Sequence, residues 1–298
     1  MDLLHRITST RSRFKRLGVF AGLVALPLVS FLQAAPNAQR IVSVNGPITE
    51  ILYSLGVGDS IVGTDTTSVF PPAAANTRKV GYQRSLSAEG VLSLKPSLIL
   101  GTEDAGPPPV IEQIRSAGVS VSILREVHSV DGVADKIEKV GAIVGRDARA
   151  KELVALFKTR MDSLQASIGK SALKRKPRIL FVYGRGPGSV FIAGRETAVD
   201  SLIGLAGGEN VMKSFTGFKP LTAEAIAGAN PDMILTPLRS SESFGGNAGL
   251  LGLPGISLTR AGRESRIFRM EDSLLLALGI RLPEAVETLH RELKRIPQ

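Results

Sequence analysis

The chain contains no cysteine and no tryptophan, and only three histidines in 298 residues. Without cysteine there are no disulfide staples, thiolate metal sites, Fe–S clusters or cysteine nucleophiles. Two of the histidines, His128 and His290, lie beyond the first turn of the chain, which excludes a histidine-rich zinc centre. Aromatic residues make up 5% of the chain and charged residues 21%, a balance that fits neither a disordered tail nor a polytopic membrane protein. What is abundant is apolar: 43% hydrophobic residues over this length can bury one large core or two medium ones.

The net charge of +10 points at first to an anionic partner. Much of it is local. Arg6, Arg11, Arg13, Lys15 and Arg16 precede an apolar run from Leu17 to Leu32, and Ala34-Ala35-Pro36 follows. A basic start, an apolar core and a small-residue exit predict a secretory signal peptide over residues 1–34, cleaved near Ala34. No adjacent arginine pair and no lipobox cysteine are present, so the general secretory route is expected, without a lipid anchor. The rest of the chain carries 32 basic and 26 acidic residues. Export without cysteine fits the bacterial periplasm.

Beyond residue 35, short β-branched runs alternate with amphipathic stretches. Arg40–Val44, Ile61–Thr64, Leu98–Leu100 and Val119–Leu124 read as strands; Pro47–Leu55, Ser87–Leu94 and Val110–Ala117 have helical spacing. Such alternation with short connections predicts a parallel sheet covered on both faces. From Val130 to Ser171 there is no strand signal, and Ala150, Leu153, Val154, Phe157, Met161, Leu164 and Ile168 form one stripe. That stripe predicts a helix of about 25 residues, roughly 37 Å long. Strand runs resume at Arg178–Val182, Val190–Ile192, Met233–Leu235 and Arg266–Phe268, and a last amphipathic helix carries Ala285, Val286, Leu289, Leu293 and Ile296.

The halves repeat one another. Leu86-Ser-Ala-Glu, six residues, Pro96, two residues, Ile99-Leu100 is matched by Leu221-Thr-Ala-Glu, six residues, Pro231, two residues, Ile234-Leu235. Each unit is an N-cap hydroxyl, an acid two residues on, a short helix, a proline stop and a buried strand. The expected fold is α/β: two similar lobes with parallel-type sheets, residues 35–130 and 177–298, joined by a long helix within 131–176. A ligand cleft is expected between the lobes, and a single rigid connecting helix implies small lobe motion.

A signal peptide, two α/β lobes, a linking helix and this repeated frame together resemble the periplasmic substrate-binding proteins of ABC importers, in their siderophore, haem and cobalamin cluster. Val80-Gly-Tyr-Gln-Arg-Ser-Leu-Ser-Ala-Glu-Gly90 resembles the haem-binding subgroup in particular. That resemblance implies haem as the transported ligand, with no catalytic cofactor, Tyr82 as the axial ligand of its iron, and Arg239 facing it from the second lobe. Ferric iron is a hard cation suited to a phenolate oxygen. A phenol ordinarily titrates near pH 10, so the metal's charge and a nearby guanidinium must favour the ionised form. Arg84 and Arg239 are the candidates for that guanidinium, or for pairing a propionate. A tyrosine at position 82 is otherwise a half-buried loop aromatic, and the arginines solvated loop charges. Glu89 and Glu224, at equivalent repeat positions, are implied to dock on the membrane permease; each also suits a helix N-terminus.

Gly184-Arg-Gly-Pro-Gly-Ser189 lacks the ending of a phosphate-binding loop and reads as a cleft rim where Tyr183 or Arg185 meets ligand. The second lobe has no histidine there, which points to five-coordinate iron and a single haem. His128 reads as a loop residue, His290 as the solvent edge of the last helix, and Lys174–Arg178 as a solvated linker. Nothing indicates nucleic acid, and a monomer is expected. The alternative ligand is a ferric siderophore or a corrinoid, although those clefts favour aromatics that are scarce here. A secreted α/β hydrolase is the remote alternative: no Gly-x-Ser-x-Gly elbow occurs.

Overall fold

The computed structural model describes residues 39–170, 173–184 and 189–297. The segment expected to be a signal peptide and Arg185 therefore lie outside the described residues. Among those described, no helix is long and apolar enough to cross a membrane.

The first lobe is built on β1 (Ile41–Val44), β2 (Ile61–Thr64), β3 (Leu98–Thr102) and β4 (Ser120–Leu124). These form one wholly parallel sheet in the order β2-β1-β3-β4. Its pleat explains the apolar runs: along β1, Ile41 faces one cluster and Val42 and Val44 face another, so both faces are buried. The second lobe uses β5 (Arg178–Gly184), β6 (Val190–Ala193), β7 (Glu209–Asn210), β8 (Phe218–Pro220), β9 (Met233–Pro237) and β10 (Ile267–Met270). Its order is β10-β9-β5-β6-β8, with β7 pairing β5. Here the expectation of parallel sheets needs correction. The pairs β10–β9, β9–β5 and β5–β7 are parallel, but β5–β6 and β6–β8 are antiparallel. The physical reason is connection length: only five residues separate β5 from β6, enough for a hairpin but not for a crossover.

The expected long helix is Asp147–Gly169, preceded by a separate helix Val130–Ile143. Gly145, at φ +65°, breaks them apart. The lobes are not joined by this helix alone. One buried cluster runs from Ile41, Ile48 and Ile51 through Phe157 and Met161 to Phe181, Leu235 and Val286. The repeated frame folds as its chemistry predicts. Ser87 Oγ accepts from Gly90 N at 3.3 Å and Thr222 Oγ1 from Ala225 N at 3.4 Å, capping helices Ala88–Leu92 and Ala223–Ala229.

Two further expectations are corrected by packing. His290 is not at a solvent edge: it is 8% exposed, and its Nδ1 lies 2.9 Å from Ala206 O, an end-of-helix carbonyl. A carbonyl only accepts, so Nδ1 carries the proton. Nor is the Lys174–Arg178 run simply solvated. Arg175 clamps the buried Asp232 in a two-pronged pair, one contact at 2.8 Å, and Arg178 N donates to the same carboxylate at 2.9 Å. Burial pushes this carboxyl up, but those bonds outweigh it and hold it below its ordinary range.

Candidate functional site

Parallel strands gather the site. Ligands of open α/β sheets bind beyond the carboxyl ends of the strands, and here the ends from both lobes converge on one cleft of about 600 Å³. Asn45–Pro47 follow β1, Thr66, Thr67 and Val69 follow β2, Asp104 follows β3, and Glu126 and His128 follow β4. From the other lobe come Tyr183 and Gly184 at the end of β5, Leu238–Ser240 after β9, and Glu271–Ser273 after β10.

Tyr82 lines this cleft, 40% exposed, between Val80 and Gln83, which are both 8% exposed. Its own loop is tied down on each side. Thr66 N donates to Gly81 O at 2.9 Å, Gly106 N donates to Gln83 O at 2.8 Å, and Asn45 Nδ2 donates to Gln83 Oε1 at 3.4 Å. Gly81 sits at φ +100°, a conformation that favours glycine, and it turns the chain so that the phenol stands out while its neighbours face inward. Beneath it, Asp65 accepts from Thr67 N, Thr67 Oγ1 and Ser68 Oγ at 2.6–3.0 Å and fixes the adjoining wall.

The structure brings Arg84, Tyr183 and Arg239 to the same cleft. Arg84 is engaged: its Nη2 lies 2.7 Å from Asp104 Oδ2. Arg239 is anchored by its backbone, N donating to Asp272 Oδ1 at 3.2 Å. Among the described residues its guanidinium makes no ion pair within 4 Å. Tyr183 packs against Phe181, with ring centroids 6.3 Å apart. Pro47, Val69, Phe218, Leu238, Leu276 and Ala277 supply apolar wall. Glu89 and Glu224 are not in the cleft; both are exposed in the first turns of their helices, one on each lobe.

Positive charge is not concentrated in the cleft. Four carboxylates, Asp104, Glu126, Glu271 and Asp272, line it beside Arg84 and Arg239. Three are answered by cations: Asp104 by Arg84, Glu126 by Lys136 at 2.8 Å, and Glu271 by Arg281 at 3.1 Å. Burial pushes the fourth, Asp272, above its ordinary carboxyl range despite the Arg239 bond. His128 joins the cleft rather than being only a loop residue. Burial holds its imidazole below its ordinary range, and its Nδ1 is enclosed with no hydrogen-bond partner among the described residues. It is therefore neutral near pH 7. Asp104, Glu126, His128, Glu271 and Asp272 escaped the sequence reading; each follows a parallel strand by four residues or fewer, which is the signal that would have found them.

A family model described as a periplasmic binding protein matches residues 41–274, so the chain belongs to that family. A solved structure of the periplasmic heme-binding protein RhuT from Roseiflexus sp. RS-1 is 39% identical with a TM-score of 0.84, covering 88% of this chain and 100% of that one. A periplasmic heme-binding protein from Pseudomonas aeruginosa is 35% identical with a TM-score of 0.79, covering 87% of this chain and 94% of that one. The vitamin B12-binding protein of Yersinia pestis is 25% identical over 222 residues, 72% of this chain and 77% of its own length. The fold is accordingly the two-lobe one of these binding proteins.

Proposed function

We propose that this periplasmic binding protein captures haem in its interlobe cleft, with Tyr82 as the axial ligand of the iron, and delivers it to an ABC importer. The observation that carries the reading is the phenol of Tyr82, presented 40% exposed on the wall of a cleft that also carries the apolar side chains of Pro47, Val69, Phe218, Leu238, Leu276 and Ala277. A porphyrin needs apolar faces, an iron ligand and cations for its two carboxylates. Arg239, whose guanidinium makes no ion pair within 4 Å among the described residues, suits a carboxylate, and Arg84 and Tyr183 line the same space. Arg185 belongs to this proposal only from its place in the glycine-rich sequence after β5. The likeness to solved periplasmic heme-binding proteins supports the same ligand.

The vitamin B12-binding relatives favour a corrinoid as the second reading. Titration with hemin and, separately, with cyanocobalamin distinguishes the two. Saturable hemin binding with a Soret shift and a ferric-phenolate charge-transfer band is the expected result. Cyanocobalamin binding without hemin binding overturns it.

Glu89 and Glu224 form the proposed contact with the permease, one matched acid on each lobe. The double variant Glu89→Ala/Glu224→Ala is expected to bind hemin like the natural chain while slowing import in vesicles reconstituted with the transporter. Unimpaired import removes the docking role.

A further inference from the structure

Behind the cleft wall that carries Glu271 and Ser273, two segments far apart in sequence are fastened by one guanidinium. Arg281 Nε donates to Glu50 Oε1 at 3.2 Å, and Nη2 donates to Glu271 Oε1 at 3.1 Å and to Ser273 Oγ at 2.7 Å. Its Cζ lies over the Phe70 ring, 4.0 Å from the centroid, a favourable cation–π position. Glu50 belongs to the helix Gly46–Ser54 of the first lobe, whose opening residues Gly46 and Pro47 line the cleft. Glu271 and Ser273 are cleft wall from the second lobe. The turn between them approaches closely: a Cβ on Gly279 would lie 3.0 Å from Pro47 Cβ, tighter than ordinary van der Waals contact. Lys136 Nζ donates to Leu278 O at 3.2 Å beside it.

We propose that Arg281 is a positioning residue for the cleft, holding the Glu271–Ser273 wall to the helix Gly46–Ser54, and that a proton on Glu50 tightens this hold. The inference rests on the interlobe cleft of the proposed function but not on the identity of its ligand.

Glu50 is 5% exposed. Burial pushes its carboxyl up to about 7, and the charge and hydrogen bond of Arg281 pull it back only in part. Glu271 and Glu284, both within 4 Å of Arg281, oppose ionisation further. Of the other charged groups nearby, Lys136 and Glu126 satisfy each other. Arg149 donates to Ser54 O at 3.4 Å while pairing with Glu152. When the contact opens, water reaches Glu50 and its value returns towards the ordinary 4.5. The packed state thus binds the proton more tightly than the open one. Acidification below about pH 7 favours the packed contact, and rising pH loosens it.

Amide hydrogen exchange of the ligand-free protein tests this, with rates corrected for the intrinsic effect of pH. Informative amides are Leu282, which donates to Gly279 O, and Leu274 and Leu275, which donate to Glu271 O. Opening is expected to be ~10-fold more frequent at pH 8 than at pH 6, from the two carboxyl values through linkage. Glu50→Gln should hold the pH 6 level at both pH values. A pH dependence that survives in Glu50→Gln, or none in the natural chain, overturns the proton's role. Arg281→Lys keeps the charge but cannot bridge three partners, and exchange at Leu274 and Leu275 should rise several-fold. Unchanged exchange there overturns the positioning role. Because no ligand is present, a failure here is separate from a failure of hemin binding.

Discussion

Tyr82→Phe is expected to abolish the ferric-phenolate charge-transfer band of the hemin complex and to weaken hemin binding by about 100-fold, or about 2.7 kcal/mol. The substitution removes a single oxygen and keeps the ring, so packing is conserved. The loop does not depend on that oxygen: its ties are backbone bonds through Gly81, Gln83 and Gly106 and the buried amide of Gln83. Thermal stability should therefore stay within about 0.5 kcal/mol of the natural chain, which separates a lost ligand from a lost fold. Tyr183→Phe is the matched control, because Tyr183 lines the same cleft from the other lobe. Retention of the band in Tyr82→Phe with its loss in Tyr183→Phe would move the iron ligand to the second lobe. Loss in neither variant would remove tyrosine ligation altogether.

Lys136→Ala is expected to cost about 3–5 kcal/mol of stability, the usual range for removing one partner of a buried ion pair. Lys136 is 2% exposed, and its ammonium donates to both oxygens of Glu126 at 2.9 and 2.8 Å and to Leu278 O at 3.2 Å. The pair thus joins the loop after β4 to the turn leading into the last helix. Without the cation, Glu126 is left as an uncompensated carboxylate on the cleft wall, its side chain 17% exposed. At roughly 2–4 °C per kcal/mol for a chain of this size, the melting temperature should fall by ~6 °C or more. Adding Glu126→Gln should recover much of the loss, since it removes the stranded charge. A fall below about 1 kcal/mol, or no recovery in the double variant, would show that the pair is not what holds this junction.

These two predictions differ in how far they could be read from the chain alone. Tyr82 stands immediately before a repeated frame with a physical meaning, so its position at a strand-end loop was legible. The repeat also located the caps Ser87 and Thr222, the proline stops and the buried strands that follow them. Lys136 had no such signal. On its helix it occupies a position next to Ile137 and Val140 that any solvated lysine would fill, and its carboxylate partner sits in the preceding loop. Arg281 and Glu50 are 231 residues apart, and no local pattern couples residues at that distance. His290 misled for a related reason: an amphipathic stripe states which face is apolar, but not whether a neighbouring helix end offers a carbonyl beside it.

The alternation of apolar runs and amphipathic stretches determined, without coordinates, an α/β chain with a long helix between two similar halves, because strand and helix periods are local properties of the backbone. Composition determined that no thiolate or histidine cluster could hold a metal, because cysteine is absent and histidine scarce. Only the tertiary structure decided that the second sheet is mixed and that one core runs through both lobes. It alone decided that carboxylates matched by cations from both halves line the cleft. Charges meet there because parallel strands end together in space, and that convergence is a property of the fold rather than of any stretch of sequence.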